Sequence, residues 1–294
     1  MRRLIGLLVA MSVATTVPAP AAGGSATDGS RSAGVRAAER RVVLPAPVPC
    51  RGCWHPVLRV SWQWQLQEPP RIGDLLDVRM YDVDGSDASR GLVRAMHRRG
   101  IVAVCYLDAG SWERWRADAD RFPRAILGKP NGWPGERWLD IRRLTVLRPI
   151  MRARIDRCQA KGFDAVEFDL VDGYQADTGF PLTANDQLRY NVFLANVAHR
   201  AGMSALLKND LAQIPRLLPY FDAALNEQCH QYRECHRLTP FIDAGKPVFG
   251  VEYALGATDF CPAANARNFN FLQKHRSLGP WRRACRGRES HARS

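Results

Sequence analysis

Asp169 and Glu227 are the residues best placed to do chemistry. Asp169 lies in the run Ala165-Val166-Glu167-Phe168-Asp169-Leu170-Val171-Asp172-Gly173-Tyr174, where an apolar stretch ends in a knot of acids and a glycine. Read as a strand, this run sets Glu167 and Asp169 on one face, because strand side chains repeat with period 2. An unpartnered carboxylate inside a fold is costly, so each acid needs a counter-charge or a task. Glu227 closes a second apolar run, Ala223-Ala224-Leu225-Asn226. Two carboxyl groups facing each other across a cleft are what cleavage of a glycosidic bond requires: one protonates the leaving oxygen, the other attacks or activates water. The structural alternative is that acids at strand ends cap helices or pair with arginine.

Other chemistries fit less well. A G-x-S-x-G nucleophile turn is absent, and the seven histidines fall mainly in helices, loops and the tail. Asp82, Asp84 and Gly85 resemble the start of a calcium loop, but Asp87 stands where that loop requires glycine. Cys50 and Cys53 with His55 lack a second ligand pair for zinc. No metal and no cofactor is expected.

Such acids need a scaffold, and from Cys50 onward strand and helix patterns alternate. Strands are expected at 59–66, 76–83, 101–107, 137–141, 165–170, 204–207, 223–226 and 248–253. Between them, 89–99 sets Leu92, Val93 and Met96 on one helical face, and 144–160 does the same with Val146, Ile150 and Ile155. A third helix, 183–201, opens with the cap signature Thr183-x-x-Asp186. Eight strands with crossover helices imply an α/β fold, a single (β/α)8 TIM barrel. The runner-up, an open doubly wound sheet, lacks its glycine-rich fingerprint after the first strand. In a barrel the chemistry sits where strands end. There the chain offers Trp62, Asp82, Tyr106, Trp138, Glu167, Asp172, Lys208, Asn209 and Glu252 as candidate substrate-binding residues around Asp169 and Glu227. Flat rings stack on sugar faces while acids and amides take the hydroxyls.

The ends differ from the middle. Residues 1–22, with Arg2 and Arg3, an apolar run to Val17 and small residues to Ala22, have the layout of a signal peptide, too short to span a bilayer. Residues 23–48 are expected to be a flexible linker, 49–286 the barrel, and 287–294 a basic tail. Export agrees with eight cysteines, an even set suited to disulfides, so a secreted, extracellular protein without a membrane span is expected. The formal charge of +13 is confined to the ends: residues 1–59 carry eight basic and two acidic side chains, residues 261–294 eight and one, and the centre is neutral. That argues against nucleic-acid recognition by the core and leaves solvated tails, or contact of the basic ends with an anionic cell envelope. A monomer acting on polysaccharide is expected.

Several stretches, in order, resemble glycoside hydrolase family 114. They are 62–66 (WQWQL), 81–85 (YDVDG), 104–113 (VCYLDAGSWE), 136–142 (ERWLDIR), 167–174, 177–180 (DTGF), 207–209 (LKN) and 226–229 (NEQC). The resemblance implies a secreted barrel acting as an endo-alpha-1,4-polygalactosaminidase. By motif position it implies Asp169 as nucleophile, Glu227 as general acid/base and a retaining outcome, with Asp82, Tyr106, Lys208 and Asn209 lining the sugar subsites. The family pattern after Glu167 runs Pro, Asp, Asn, whereas here Phe168 and Leu170 flank Asp169. A deacetylated galactosamine polymer is cationic, so a locally acidic cleft is expected between the basic ends. The rival from another class is a barrel that binds carbohydrate without cleaving it.

Overall fold

Period-2 runs rich in Val, Leu, Phe and Ala become the strands of the fold, which a computed structural model describes over residues 42–287. The expected signal peptide, most of the expected linker and nearly all of the basic tail lie outside the described residues. In chain order the strands are β1 Trp62–Gln65, β2 Met80–Asp84, β3 Val102–Asp108, β4 Ser111–Glu113, β5 Leu127–Pro130, β6 Glu136–Leu139, β7 Ala165–Asp169, β8 Ser204–Lys208, β9 Ala223–Glu227, β10 Val248–Glu252, β11 Asn270–Gln273 and β12 Arg283–Ala284. The α-helices are α1 Arg90–Arg98, α2 Leu144–Lys161, α3 Ala184–Arg200, α4 Ile214–Leu217, α5 Thr239–Asp243 and α6 Ala257–Ala266.

Eight strands run parallel in the order β1-β2-β3-β7-β8-β9-β10-β11 and curl into a (β/α)8 TIM barrel. Two of the expected assignments change. The stretch expected as a strand at 137–141 is β6, which pairs antiparallel with β4 and β5 in a separate three-stranded sheet inserted after β3. The eighth barrel strand is instead β11, built from only four residues. Nor is the helical layer complete, since β1 is followed only by a 3-10 turn at Ile72–Asp74. The α3 start keeps its cap: Thr183 and Asp186 bond reciprocally to each other's backbone amides.

Strand register sorts the side chains. Inward-facing Trp62, Met80, Val104, Ala165, Leu206, Ala223, Phe249 and Leu272 fill the barrel in one apolar cluster, and outward-facing residues pack under the helices in another. Cys105–Cys158 ties β3 to α2, and Cys50–Cys53, Cys229–Cys235 and Cys261–Cys285 account for the remaining cysteines. Gly85 must lack a side chain, because a Cβ there would lie 2.0 Å from the Cys105 sulfur.

Closure between β1 and β11 uses no mutual ladder. β12 runs antiparallel along β11, and the segment around it bonds to β1: Arg282 Nη1 donates to the Trp62 carbonyl at 2.9 Å, Gln63 Nε2 to the Pro280 carbonyl at 2.7 Å and Leu66 N to the Leu278 carbonyl at 3.0 Å. Trp62 Nε1 reaches the Asn270 carbonyl directly at 2.9 Å.

The end of the expected linker is docked. Residues 42–48 lie along α3 and α4, where Arg216 donates to the Val42 carbonyl, Tyr220 to that of Pro45 and Asn196 to that of Ala46, while Val48 N donates to Asn196. Among the described residues no helix is long and apolar enough to cross a membrane.

Candidate active site

Inward-facing residues at the carboxyl ends of the strands form a polar layer above the apolar fill. Register places Trp64 beside Asp82 and Tyr106 beside Glu167. Asp108 pairs with Asp169, and Lys208 follows Leu206 in phase. At the centre stands Lys208, 2% exposed, whose Nζ lies 2.9 Å from Asp169 Oδ1, 3.1 Å from Glu227 Oε2 and 3.6 Å from Glu167 Oε1. Its ammonium also sits 4.7 Å from the centre of the Trp64 ring. Burial alone would strip the proton from this lysine, but the three carboxylates outweigh it and push its pKa well above the usual value.

Asp169 is held as an anion. Burial pushes its pKa up, yet Lys208, the Tyr106 hydroxyl at 2.8 Å and the Leu170 amide at 2.9 Å together hold it below the ordinary carboxylate value. Glu227 presents one oxygen to Lys208 and accepts a hydrogen bond from the Tyr253 hydroxyl on the other. The Asn209 side-chain oxygen accepts from the Glu227 amide at 3.0 Å and from Asn226 Nδ2 at 3.2 Å, so Asn209 fixes the backbone that carries Glu227.

Beneath this pair lie two fully buried acids. Glu167 accepts from Trp64 Nε1 at 3.0 Å and is pushed up to about 7 by burial, with Lys208 opposing. Asp82 is wholly buried and finds no donor of its own; burial and neighbouring Glu167 raise it well above the carboxylate range. Burial pushes both acids toward the neutral form.

Further acids flank the pair on both sides. Toward β4 and β6 lie Asp108, Glu113 and Glu136, whose oxygens fall within 4.8 Å of one another. That spacing could hold a cation, but Ser111, Arg116 and Asn131 already bond to these acids. The other candidate ligand group contains Cys229 and Cys235, which form a disulfide. On the far side, burial and neighbouring Asp169 raise Asp172 to about 6, while burial and Asp172 raise Asp210 to about 9. Asn191 donates to one Asp210 oxygen at 2.9 Å.

The structure brings Asp169, Glu227, Asp82, Tyr106, Glu167, Asp172, Lys208 and Asn209 to one end of the barrel. Trp138 also reaches it, from β6, where its ring packs against Gly173. Trp62 and Glu252 are not part of the cluster. Trp62 is 1% exposed in the barrel fill, its ring centre 5.1 Å from that of Phe249, so no sugar can stack on it. Glu252 is one residue out of phase: Glu227 aligns with Val251, which turns Glu252 outward to accept the His230 amide at 2.8 Å. Trp64 and Tyr253 take the places nearest the acids, and the same alternation that identifies Asp169 assigns both of them inward. Asp210 lies two residues past Lys208, beyond the last alternating position, and sequence spacing gives no signal for it.

Comparison with known proteins matches the fold and the family. The crystal structure of Aspergillus fumigatus Ega3 in complex with galactosamine superposes with a TM-score of 0.76 at 35% identity, covering 81% of this chain and 99% of that one. The glycoside hydrolase domain of PelA from Pseudomonas aeruginosa shares the fold, with a TM-score of 0.62 at 14% identity over 76% of this chain and 98% of that one. An uncharacterised Deinococcus radiodurans protein is 28% identical over 208 residues, 62% of this chain, and the match spans 65% of that relative's length. The sequence model of glycoside-hydrolase family GH114 matches residues 46–290, and the chain therefore belongs to that family.

Proposed function

We propose that the protein is a secreted, retaining glycosidase that cuts α-1,4-linked galactosamine-containing polysaccharide, with Asp169 as nucleophile and Glu227 as general acid/base. The observation that carries this reading is the single Lys208 ammonium shared by both acids. Contacts of 2.9 and 3.1 Å to one nitrogen keep the two bound oxygens no more than their sum, 6.0 Å, apart. Retaining glycosidases hold their carboxyl groups about 5–5.5 Å apart and inverting ones about 6.5–9.5 Å, so the bound favours retention.

In the first step an Asp169 oxygen bonds to the anomeric carbon as the glycosidic bond breaks, and Glu227 gives its proton to the departing oxygen. In the second, Glu227 takes a proton from water, whose oxygen displaces Asp169. Tyr106 and Lys208 hold the nucleophile ionised and aimed, while Tyr253 orients Glu227.

A cationic sugar suits the surroundings. Asp169, held as an anion, and Asp172, raised only to about 6, lie together at this end and can accept from an ammonium on the sugar ring. Galactosamine in the Ega3 crystal supports the same class. Four disulfides among the described residues suit an oxidising, extracellular setting. The test is incubation with α-1,4-linked polymers of galactosamine, N-acetylgalactosamine and glucosamine, reading product length by mass spectrometry and the first-formed anomer by NMR. Shortened galactosamine chains with α ends appearing first are expected. β ends first would overturn retention, and binding without shortening would leave a carbohydrate-binding barrel.

A further inference from the structure

Among the described residues, the exposed large apolar side chains divide cleanly by type. The aliphatic ones, Val43, Val57 and Ile72, lie before β2, while the aromatic ones, Trp115, Trp133, Tyr232 and Trp281, all lie on loops that follow barrel strands β3, β9 and β11. Because those strands are parallel, their trailing loops share the end that carries Asp169 and Glu227.

We infer that Trp133 on one side of the catalytic pair, and Tyr232 and Trp281 on the other, are stacking platforms for distal sugar units of a long polymer, so that the enzyme binds several residues on each side of the scissile bond. This rests on the polysaccharide reading above and names the side chains that hold the polymer beyond the cleaved bond.

Position supports the inference. Counting round the barrel, β3 is third, β9 sixth and β11 eighth, so the loop with Trp133 faces the loops with Tyr232 and Trp281 across the axis. A chain crossing the catalytic centre from the β3 side leaves over β9 or β11.

Presentation supports it further. Each ring is 44–53% exposed, yet each is fixed to a constrained support. Trp133 tips the turn between β5 and β6, where Gly132 and Gly135 adopt φ of 99° and 89°, and its amide donates to Asn131 Oδ1 at 3.0 Å. Tyr232 stands in the loop stapled by Cys229–Cys235, and its amide donates to the Gln228 carbonyl at 3.0 Å. Trp281 stacks on His275 with ring centres 4.2 Å apart and planes 21° from parallel. An apolar ring that solvent would otherwise exclude from the surface, held in place at the active end, costs little ordering when it binds. Sugar rings offer axial C–H faces to such platforms, and ammonium-bearing sugars add attraction to the ring face.

The experiment compares Trp133→Ala, Tyr232→Ala and Trp281→Ala with the parent enzyme on a long, partly deacetylated α-1,4-galactosamine polymer and on the matching trisaccharide. Each substitution is expected to lower the ratio of kcat/KM for polymer over trisaccharide about tenfold, through KM. Val57→Ala, an exposed apolar residue ahead of β1, serves as the control and leaves the ratio unchanged. Equal losses on both substrates, or no loss on either, would overturn the platforms. To separate this from the hydrolase reading, the three changes are also placed in Asp169→Asn and retention of the polymer measured by affinity electrophoresis. Weaker retention supports the platforms even when no substrate is cleaved, and unchanged retention rejects them even when cleavage is normal.

Discussion

The two ends of the barrel interior are made by the same strands and behave as opposites. On β7, Ala165, Glu167 and Asp169 point inward in successive layers; on β8, Ser204, Leu206 and Lys208 do so. At the lower levels the neighbours are Met80, Val104, Leu206 and Phe249, which need no partner but close packing. One or two steps up, the neighbours are Glu167, Asp169, Lys208 and Glu227, which tolerate burial only because each charge is answered. A few ångströms of strand separate a region that resists change through shape from one that resists it through charge balance.

That contrast can be broken at several points. Asp169→Asn and Glu227→Gln should each reduce hydrolysis by about 10³-fold or more with the circular dichroism spectrum retained, since each removes a group that bonds or transfers a proton in the reaction. Near-normal turnover in either variant would end the two-acid assignment. Lys208→Met should cost both properties at once. It leaves Asp169, Glu227 and Glu167 facing one another without a cation, which predicts a stability loss of about 3–5 kcal/mol by urea titration. If that variant were as stable as the parent, charge balance would not govern the upper layer.

The lower layer should answer differently. Trp62→Phe gives up the bond to the Asn270 carbonyl and part of the contact with Phe249, and should cost about 1–3 kcal/mol while kcat stays within twofold. A large fall in kcat would show that the two layers are coupled.

Proton binding sharpens the comparison further. Asp210 is held protonated up to about 9 in the fold, against about 4 in an unfolded chain, so the fold binds the extra proton between those values. Its contribution is complete below the unfolded value and fades as pH rises through about 9. Glu167 acts likewise up to about 7, and buried Lys274, lowered to about 7 by burial, works in the opposite direction. Thermal midpoints should therefore fall as pH rises from about 4 to 7, with Lys274 offsetting Asp210 above that, and Asp210→Asn, which mimics the protonated acid, should flatten the fall and match the parent only below about pH 4. An equally steep decline in the variant would rule out Asp210 as a source.

The smallest effect concerns the residue after the nucleophile. Leu170 has φ of 56°, a left-handed conformation that a leucine adopts at a cost and an asparagine adopts readily. Asparagine is the residue that the family resemblance implies there, and Leu170→Asn should stabilise the fold by about 0.5–1 kcal/mol in chemical denaturation. No gain, or a loss, would show that Leu170 packing outweighs its backbone strain.

Much of the site was legible because alternation is a strong signal in a short strand. Asp169, Lys208 and Glu227 each end an apolar run, and the barrel brings such ends together. Phase was harder to read. Trp62 and Trp64 differ by two residues and share a face, so only depth along β1 separates a packing residue from a partner of Glu167. Glu252 and Tyr253 are adjacent, and only the pairing of Glu227 with Val251 decides which looks inward. β11 gives a weak sequence signal because Asn270–Gln273 is short and ends in an amide, whereas 137–141 carries a stronger strand pattern although it lies outside the barrel. Taking the one for the other preserves the fold class and misplaces one sector of the rim.

The way the barrel closes bears on when it can exist. β1 meets the far side of the sheet through Asn270, Lys274, Leu278, Pro280 and Arg282, contacts separated from it by more than two hundred residues. A nascent chain emerging from its amino end can assemble β1 to β10 yet still leaves the outer edge of β1 without its last partners. The circle is therefore completed only after a stretch more than two hundred residues beyond β1 has arrived, and truncation before residue 284 removes the clasp rather than a dispensable segment.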